Sequence, residues 1–380
     1  MIYLVVLLYI LFLSVKYDRE GSPCRYLKRK RIHQVILYLS LSLIAGLSYR
    51  LGIDSIRYEM RFDMIEPINQ FSTLQLLLNS YDLDPLWALL NSIVKFFSDE
   101  FYVLHLVVAL FVNGVIFWFV NKYAKFFFIT ILLYYLIQYW VFNFEVLREA
   151  ISVSFFLLAL NNIIDGKNNF FRYYLFALPA VFFQTFGFVV LLLPVVKIFN
   201  IQKNLTRAIA VTVILTPIIF YFMNMLSASG LLTEDASSKM EGGYLGESSS
   251  FNIFGIILSI VTIVIPSLFM VRKIKGEVDD GLRSFAFLYP LVIITTYGYY
   301  MMYRMGNYAL IPFVICVGQY IHVSFRKKDV VALLVFMIFF VFTTRKNFDE
   351  TVYRRYIPYS SIFEEETDSR RERIYNELLN

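Results

Sequence analysis

YYLFALPAVFFQTFGFVVLLLPVVKIF, residues 173–199, is an apolar run interrupted by Gln184, Thr185 and Gly187 and closed by Lys197. Read as one membrane span, it carries the chain across a bilayer once. Read as two, it returns the chain to the side it left, and every later loop changes sides. A helical crossing of a hydrocarbon core about 30 Å thick takes about 20 apolar residues, and this run is longer. Gln184, Thr185 and Gly187 are read as a turn at the far face, with Lys197 and the following KNLTR bringing the chain back.

Composition supplies the solvent in which this run is read. The chain is 58% hydrophobic, 18% aromatic and only 17% charged, with a mean hydropathy of +0.62. That is too apolar for a soluble domain of ordinary composition, so the expectation is an all-α polytopic membrane protein. Apolar stretches give about twelve spans. They lie near 1–15, 33–49, 101–120, 126–142, 149–164, 173–185, 187–199, 208–226, 251–271, 285–300, 306–323 and 329–343.

Charge bias chooses between the two readings of 173–199. With the run split, the loops 16–32, 121–125, 165–172, 197–207, 272–284 and 324–328 hold 21 of the 35 Lys and Arg, and the opposite loops hold seven outside the tail. The positive-inside rule makes the first set cytoplasmic and puts both termini outside. The basic balance, +6 overall, is then mostly an orientation signal, and nucleic acid is not an expected partner. The first span has no basic leader and no small-residue cleavage pattern before KYDRE, so it reads as an uncleaved anchor. Cys24 and Cys316 stand alone in unlike surroundings, which excludes a disulfide framework. His33, His105 and His322 lack a second ligand at metal spacing, so neither a metal site nor a cofactor is expected.

The membrane domain is taken as 1–343 and the extracytoplasmic tail as 344–380. Two loops on the tail's side are longer than connection requires. SASGLLTEDASSKMEGGYLGESSS, 227–250, reads as a mobile loop or lid. Within 50–100, DPLWALLNSIVKFF, 84–97, has helical apolar spacing but too few residues to cross; it reads as an interfacial helix with Asp84 as cap and Pro85 in its first turn. Trp87 and Trp140 are assigned to the interfacial aromatic belt.

FNFEVLREAISVSF, 142–155, places Glu145, Arg148 and Glu149 where the fourth expected span gives way to the fifth. Glu149 reads most simply as a helix-end marker. Arg148 has company on the same face: Arg50 at the end of the second span and Arg304 between the tenth and eleventh. Arginine is costly in hydrocarbon, so such residues near helix ends face polar cavities or anionic partners. Orientation markers belong on the cytoplasmic side, and these three lie opposite, so the cluster reads as an anion site.

The ordered series RLGIDSIRYEMRF (50–62), DPLWALLNSI (84–93), FNFEVLREAISVSFFLLAL (142–160) and RMGNYALIPF (304–313) resembles the EpsG family of polysaccharide polymerases, relatives of the Wzy type. Arg50, Gly52, Asp54 and Tyr58 match its first element, Asp84 and Pro85 its second, Arg148 and Ala150 the central helix start, and Arg304 with Tyr308 the last. Glu145 stands where the pattern has Asn, Glu149 where Gln is usual, and Gln184 where it has His. The closing stretch YIPYSSIFEEETDSRRERIYNELL looks like the outer tail of some members.

The resemblance implies a metal-independent glycosyltransferase of the bacterial inner membrane. It would join repeat units of a capsule, exopolysaccharide or O-antigen on the extracytoplasmic side. Donor and acceptor would be oligosaccharides carried on polyprenyl pyrophosphate, with membrane lipid and a chain-length regulator as further partners. In that chemistry Arg50, Arg148 and Arg304 would bind the pyrophosphate through bidentate contacts. Asp54 and Glu145 are the candidate bases. Tyr58, Gln184 and Tyr308 are the candidate sugar contacts. The alternatives are a flippase or exporter of lipid-linked glycan, an O-antigen ligase sharing the chemistry with another acceptor, and a non-enzymatic scaffold. Against the transporter, no internal repeat is seen.

Overall fold

The computed structural model describes residues 2–18, 27–70, 84–198, 253–295, 303–344, 355–364 and 371–373, and the single positions 214, 218, 221, 225 and 376. Among them the chain is helical, and its only β pairing is in the isolated bridges Ser48–Ser361 and Lys275–Val278. In chain order the helices are α1 (Ile2–Tyr17), α2 (Leu27–Gly46), α3 (Ile53–Met64), α4 (Pro85–Phe97), α5 (Phe101–Tyr123), α6 (Phe127–Ile137), α7 (Leu147–Leu160), α8 (Phe170–Phe183), α9 (Val189–Leu192), α10 (Pro194–Ile198), α11 (Ile253–Ser259), α12 (Ile265–Lys273), α13 (Asp280–Thr295), α14 (Tyr303–Arg326) and α15 (Val330–Thr344). Short π-helical stretches, Val141–Glu145 and Ile260–Val264, join α6 towards α7 and α11 to α12. The closest packing is of α1 on α6, α2 on α5, α7 on α8 and α13 on α14.

Two described helices, α5 and α14, are long and apolar enough to cross a membrane, with 23 and 24 residues. At 1.5 Å per residue they run about 35 Å, against a hydrocarbon core of about 30 Å. Several shorter apolar helices accompany them. The expected span near 208–226, apart from its four single positions, and the expected lid at 227–250 lie outside the described residues, as does Cys24.

The run 173–199 turns back on itself. Alanine 180 lies where a Cβ on Gly187 would fall, the Tyr173 hydroxyl donates to the Val190 carbonyl at 2.5 Å, and the Lys197 ammonium donates to the Ile163 and Lys167 carbonyls and to Asn168 Oδ1. The pairing deepens in register from 180 with 187 to 168 with 197, which is a helical hairpin with its turn at Gln184. That turn is extended, φ −153° and ψ 120°. A side chain at Gly187 would also meet Ser152 Oγ at 2.7 Å, so glycine lets the returning arm lie against both α8 and α7. The closing end of the hairpin shares its level with the end of α5, where the Tyr123 hydroxyl donates to Asn161 at 2.8 Å.

From that end α7 and α8, 14 residues each, climb only about 21 Å. α3 packs on the π-helical stretch 141–145, and Tyr356 of residues 355–364 reaches the same stretch. A polar knot fixes the stretch beneath: Asn143 Nδ2 donates to the Tyr139 carbonyl at 2.9 Å, Asn113 Nδ2 donates to Asn143 Oδ1 at 2.8 Å, and His105 Nε2 lies 2.6 Å from the Asn143 carbonyl. Buried polar groups paired in this way hold one backbone conformation against its alternatives, although His105 Nδ1 is buried without a hydrogen-bond partner among the described residues.

The short helix at 84–97 forms with Pro85 in its first turn. Asp84 occupies the cap position without capping, because its carboxylate is engaged elsewhere. Trp87 is 1% exposed and packs edge-on against Tyr58, which corrects its assignment to the aromatic belt: α4 turns that face inward and leaves Ile93, Phe96 and Phe97 outward.

Candidate functional site

The sequence RLGID breaks the chain between α2 and α3. Arg50 has φ 45° and Gly52 φ 83°, both left-handed. A Cβ on Gly52 would stand 2.7 Å from the Phe144 carbonyl oxygen, so glycine is required for both the turn and the approach. The turn aims the start of α3 at the π-helical stretch. The first amides of a helix have no internal partner, and the Asp54 amide donates to Glu145 Oε2 at 3.2 Å. The other oxygen, Oε1, accepts from the Tyr356 hydroxyl at 3.0 Å and lies 3.7 Å from the Arg355 guanidinium.

Glu145 is 9% exposed. Burial pushes its carboxyl above the usual range, as does the charge of Asp54; the Asp54 amide, Tyr356 and Arg355 oppose that rise. Asp54 itself is exposed and lies 3.6 Å from Arg57 in the next turn of α3.

Arg148, at the start of α7, donates to Asp84 Oδ2 at 2.9 Å. The second Asp84 oxygen accepts from the Thr185 amide at 2.9 Å and the Thr185 hydroxyl at 2.6 Å. One carboxylate thus ties Arg148, the start of α4 and the hairpin turn together. The guanidinium lies 5.9 Å above the Tyr58 ring. Its Nε is buried with no hydrogen-bond partner among the described residues.

Arg304, at the start of α14, lies 3.7 Å from Glu149 Oε2. Asn307 Nδ2 donates to Glu149 Oε1 at 2.7 Å, and Gln138 Nε2 donates to Asn307 Oδ1 at 3.0 Å. Glu149 is 2% exposed, so it is a buried counter-charge for Arg304 and not a helix-end marker.

The third expected arginine is elsewhere. Arg50 gives Nε and a terminal nitrogen to the two Glu59 oxygens at 2.8 and 2.9 Å, and its other terminal nitrogen to Glu372 at 2.8 Å. Arg50 thus closes a local ion-pair fork with α3 and Glu372, on other carboxylates than those that hold Arg148 and Arg304. Tyr308 is likewise displaced from a sugar-contact position. It is fully buried, with its hydroxyl 2.8 Å from Ser152 Oγ, which in turn donates to the Ala180 carbonyl at 2.9 Å. Gln184 is 8% exposed at the hairpin turn, where its carbonyl accepts from the Gly187 amide at 2.7 Å. Tyr58, largely buried, is the one expected sugar contact whose ring lies against Arg148.

The profile of the EpsG family matches residues 31–361. The chain belongs to the EpsG family. Membership makes it a membrane protein with a polysaccharide polymerase-type role. No curated protein and no solved structure matches it. The acids at 145 and 149 each have a cation beside them: Arg355 beside Glu145 and Arg304 beside Glu149. Neither pairing is local in sequence, so nothing in the motifs announced it. The roles of Asp84, Thr185, Asn307 and Tyr356 were missed for the same reason.

Proposed function

We propose that this EpsG-family chain joins oligosaccharide repeat units carried on polyprenyl pyrophosphate, on the extracytoplasmic side of the bacterial inner membrane. The supporting observation is that Arg148 lies over the Tyr58 ring on Asp84 while the next residue, Glu149, holds Arg304, with Glu145 one helical turn before them. An acceptor sugar hydroxyl attacks the anomeric carbon of the donor. The new carbon–oxygen bond forms as the bond to the pyrophosphate oxygen breaks, and the polyprenyl pyrophosphate leaves with the electron pair. Arg148 and Arg304 stabilise the charge that builds on that leaving group, in a site whose cations are already oriented by Asp84 and Glu149. The hydroxyl proton passes to a carboxylate. Glu145 suits that role better than Asp54, because Asp54 is solvent-exposed and its amide serves to hold Glu145.

Burial favours this reading: Asp84 and Glu149, which hold the two cations, are 4% and 2% exposed, so the cations act on an anion where little water competes. The test is extension of a lipid-linked repeat by purified protein in lipid vesicles without any ion gradient. Lengthening of the glycan supports polymerase. Movement of the lipid-linked unit without lengthening supports the flippase alternative, and transfer only to a different acceptor supports the ligase.

A further inference from the structure

We infer that C-terminal residues 355–364, together with Arg371 and Glu372, are a working part of the site, with Tyr356 and Arg355 as positioning residues for Glu145. This rests on the role for Glu145 proposed above.

The segment is held to the bundle by backbone pairing on both sides of Tyr356. The Gly52 amide donates to the Arg355 carbonyl at 3.1 Å, the Tyr49 amide to the Ser360 carbonyl at 2.9 Å, and the Ile362 amide to the Leu47 carbonyl at 3.1 Å. Ser48 and Ser361 form the antiparallel bridge between them. Further along, Arg371 donates to the Pro358 carbonyl at 2.8 Å, and Glu372 accepts from Arg50 and from the Tyr49 hydroxyl. Arg50 therefore acts at one remove: it anchors the segment that presents Tyr356.

Tyr356 is placed as a rigid donor. Its ring packs between Trp140, centroids 5.4 Å apart, and Phe144, 5.8 Å apart. Its carbonyl accepts from the Tyr3 hydroxyl at 3.2 Å. With the phenol fixed on Oε1 and the Asp54 amide on Oε2, the plane of the Glu145 carboxylate is set from two sides. A carboxylate has about four acceptor sites, so one remains for an incoming hydroxyl beside the Asp54, Tyr356 and Arg355 contacts. The charged and titratable groups facing Glu145 are Asp54, which disfavours its ionised form, and Arg355 and Tyr356, which favour it. Burial also disfavours the ionised form, so a base at this position depends on the tail.

The experiment has two arms. In the first, Ser48→Cys with Ser361→Cys is made in a chain carrying Cys24→Ser and Cys316→Ala. Residues paired across an antiparallel bridge lie within disulfide range, so docking predicts a bond in membranes, read as protection from maleimide until reduction. In the second, the rate of repeat extension is followed against pH for Tyr356→Phe, Arg355→Gln and Glu145→Gln. Loss of the Tyr356 hydroxyl weakens the ionised form, raises the carboxyl's titration point and moves the acid limb of the rate profile up by about one pH unit, with the high-pH plateau and KM kept. Arg355→Gln moves the limb the same way. A purely structural role would lower the rate equally at all pH. Absence of the disulfide overturns the inference, whatever the activity. An unmoved acid limb in Tyr356→Phe, with Glu145→Gln inactive, overturns the inference alone. Wild-type rates in Glu145→Gln overturn the base and the inference together.

Discussion

Arg50 and Arg148 stand in similar settings in the sequence, each at an end of an apolar stretch and within four residues of an acid, yet the fold uses them in opposite ways. Arg50 has Nε and both terminal nitrogens on carboxylates, two on Glu59 and one on Glu372. Arg148 has a single carboxylate partner, Asp84, and an unpartnered buried Nε among the described residues. A guanidinium carries five N–H donors in a fixed fork, so its remaining capacity measures what else it is able to hold. Arg50 has all three nitrogens engaged by carboxylates. Arg148 has its Nε without such a partner among the described residues, and Arg304 is held by Glu149, the next residue along α7. The same residue type thus serves as a clamp in one place and as a receptor for an anion in the other.

The contrast requires both regions to lie at the same end of the bundle, and the hairpin at Gln184 supplies the all-or-none way to break it. Reporters inserted after Gly166 and after Ile198 are expected to read the same side of the membrane. Opposite readings would remove the hairpin and with it the placement of Thr185 on Asp84.

At the site itself, Arg148→Ala is expected to lower repeat-unit extension by about 10²–10³-fold, the range for removing one preorganised donor to a developing anion. Arg148→Lys should fall between it and the unaltered protein, because the charge survives and the planar fork does not. Full activity in Arg148→Ala would erase the distinction between the two arginines.

Arg50→Ala tests the other half. Removing one partner of a buried ion pair costs about 3–5 kcal/mol, and the partly exposed Glu372 places this case near the low end. A lower melting midpoint and faster proteolysis of the tail are expected, with any loss of rate appearing as the same upward move of the acid limb as in Tyr356→Phe. A uniform loss of rate with an intact tail would instead return Arg50 to the anion site.

Gly52→Ala acts on stability without removing a charged group. A left-handed alanine costs of order 1–3 kcal/mol, and the contact with the Phe144 carbonyl adds to it. Thermal unfolding in detergent measures it, and an unchanged midpoint would show that the turn relaxes without disturbing Glu145.

Much of this molecule is legible in the chain itself. Apolar length and charge asymmetry declare a helical membrane protein, and Gln184, Thr185 and Gly187 mark a turn that the structure confirms, because a polar break in an apolar run has few places to go. The order of short motifs leads to the family. Local chemistry also identifies Pro85 as a helix start and Gly52 as a turn, since both depend on backbone freedom that each residue carries with it. Partnership is different. Whether Arg50 or Arg148 is left with donors to offer depends on Glu372 and Asp84, and whether Glu145 is held ready depends on Tyr356, 211 positions away. Residue type sets what a side chain is able to bind, but a pairing between distant positions exists only after packing has brought them within hydrogen-bond reach. Only the tertiary structure therefore separated the clamp from the receptor.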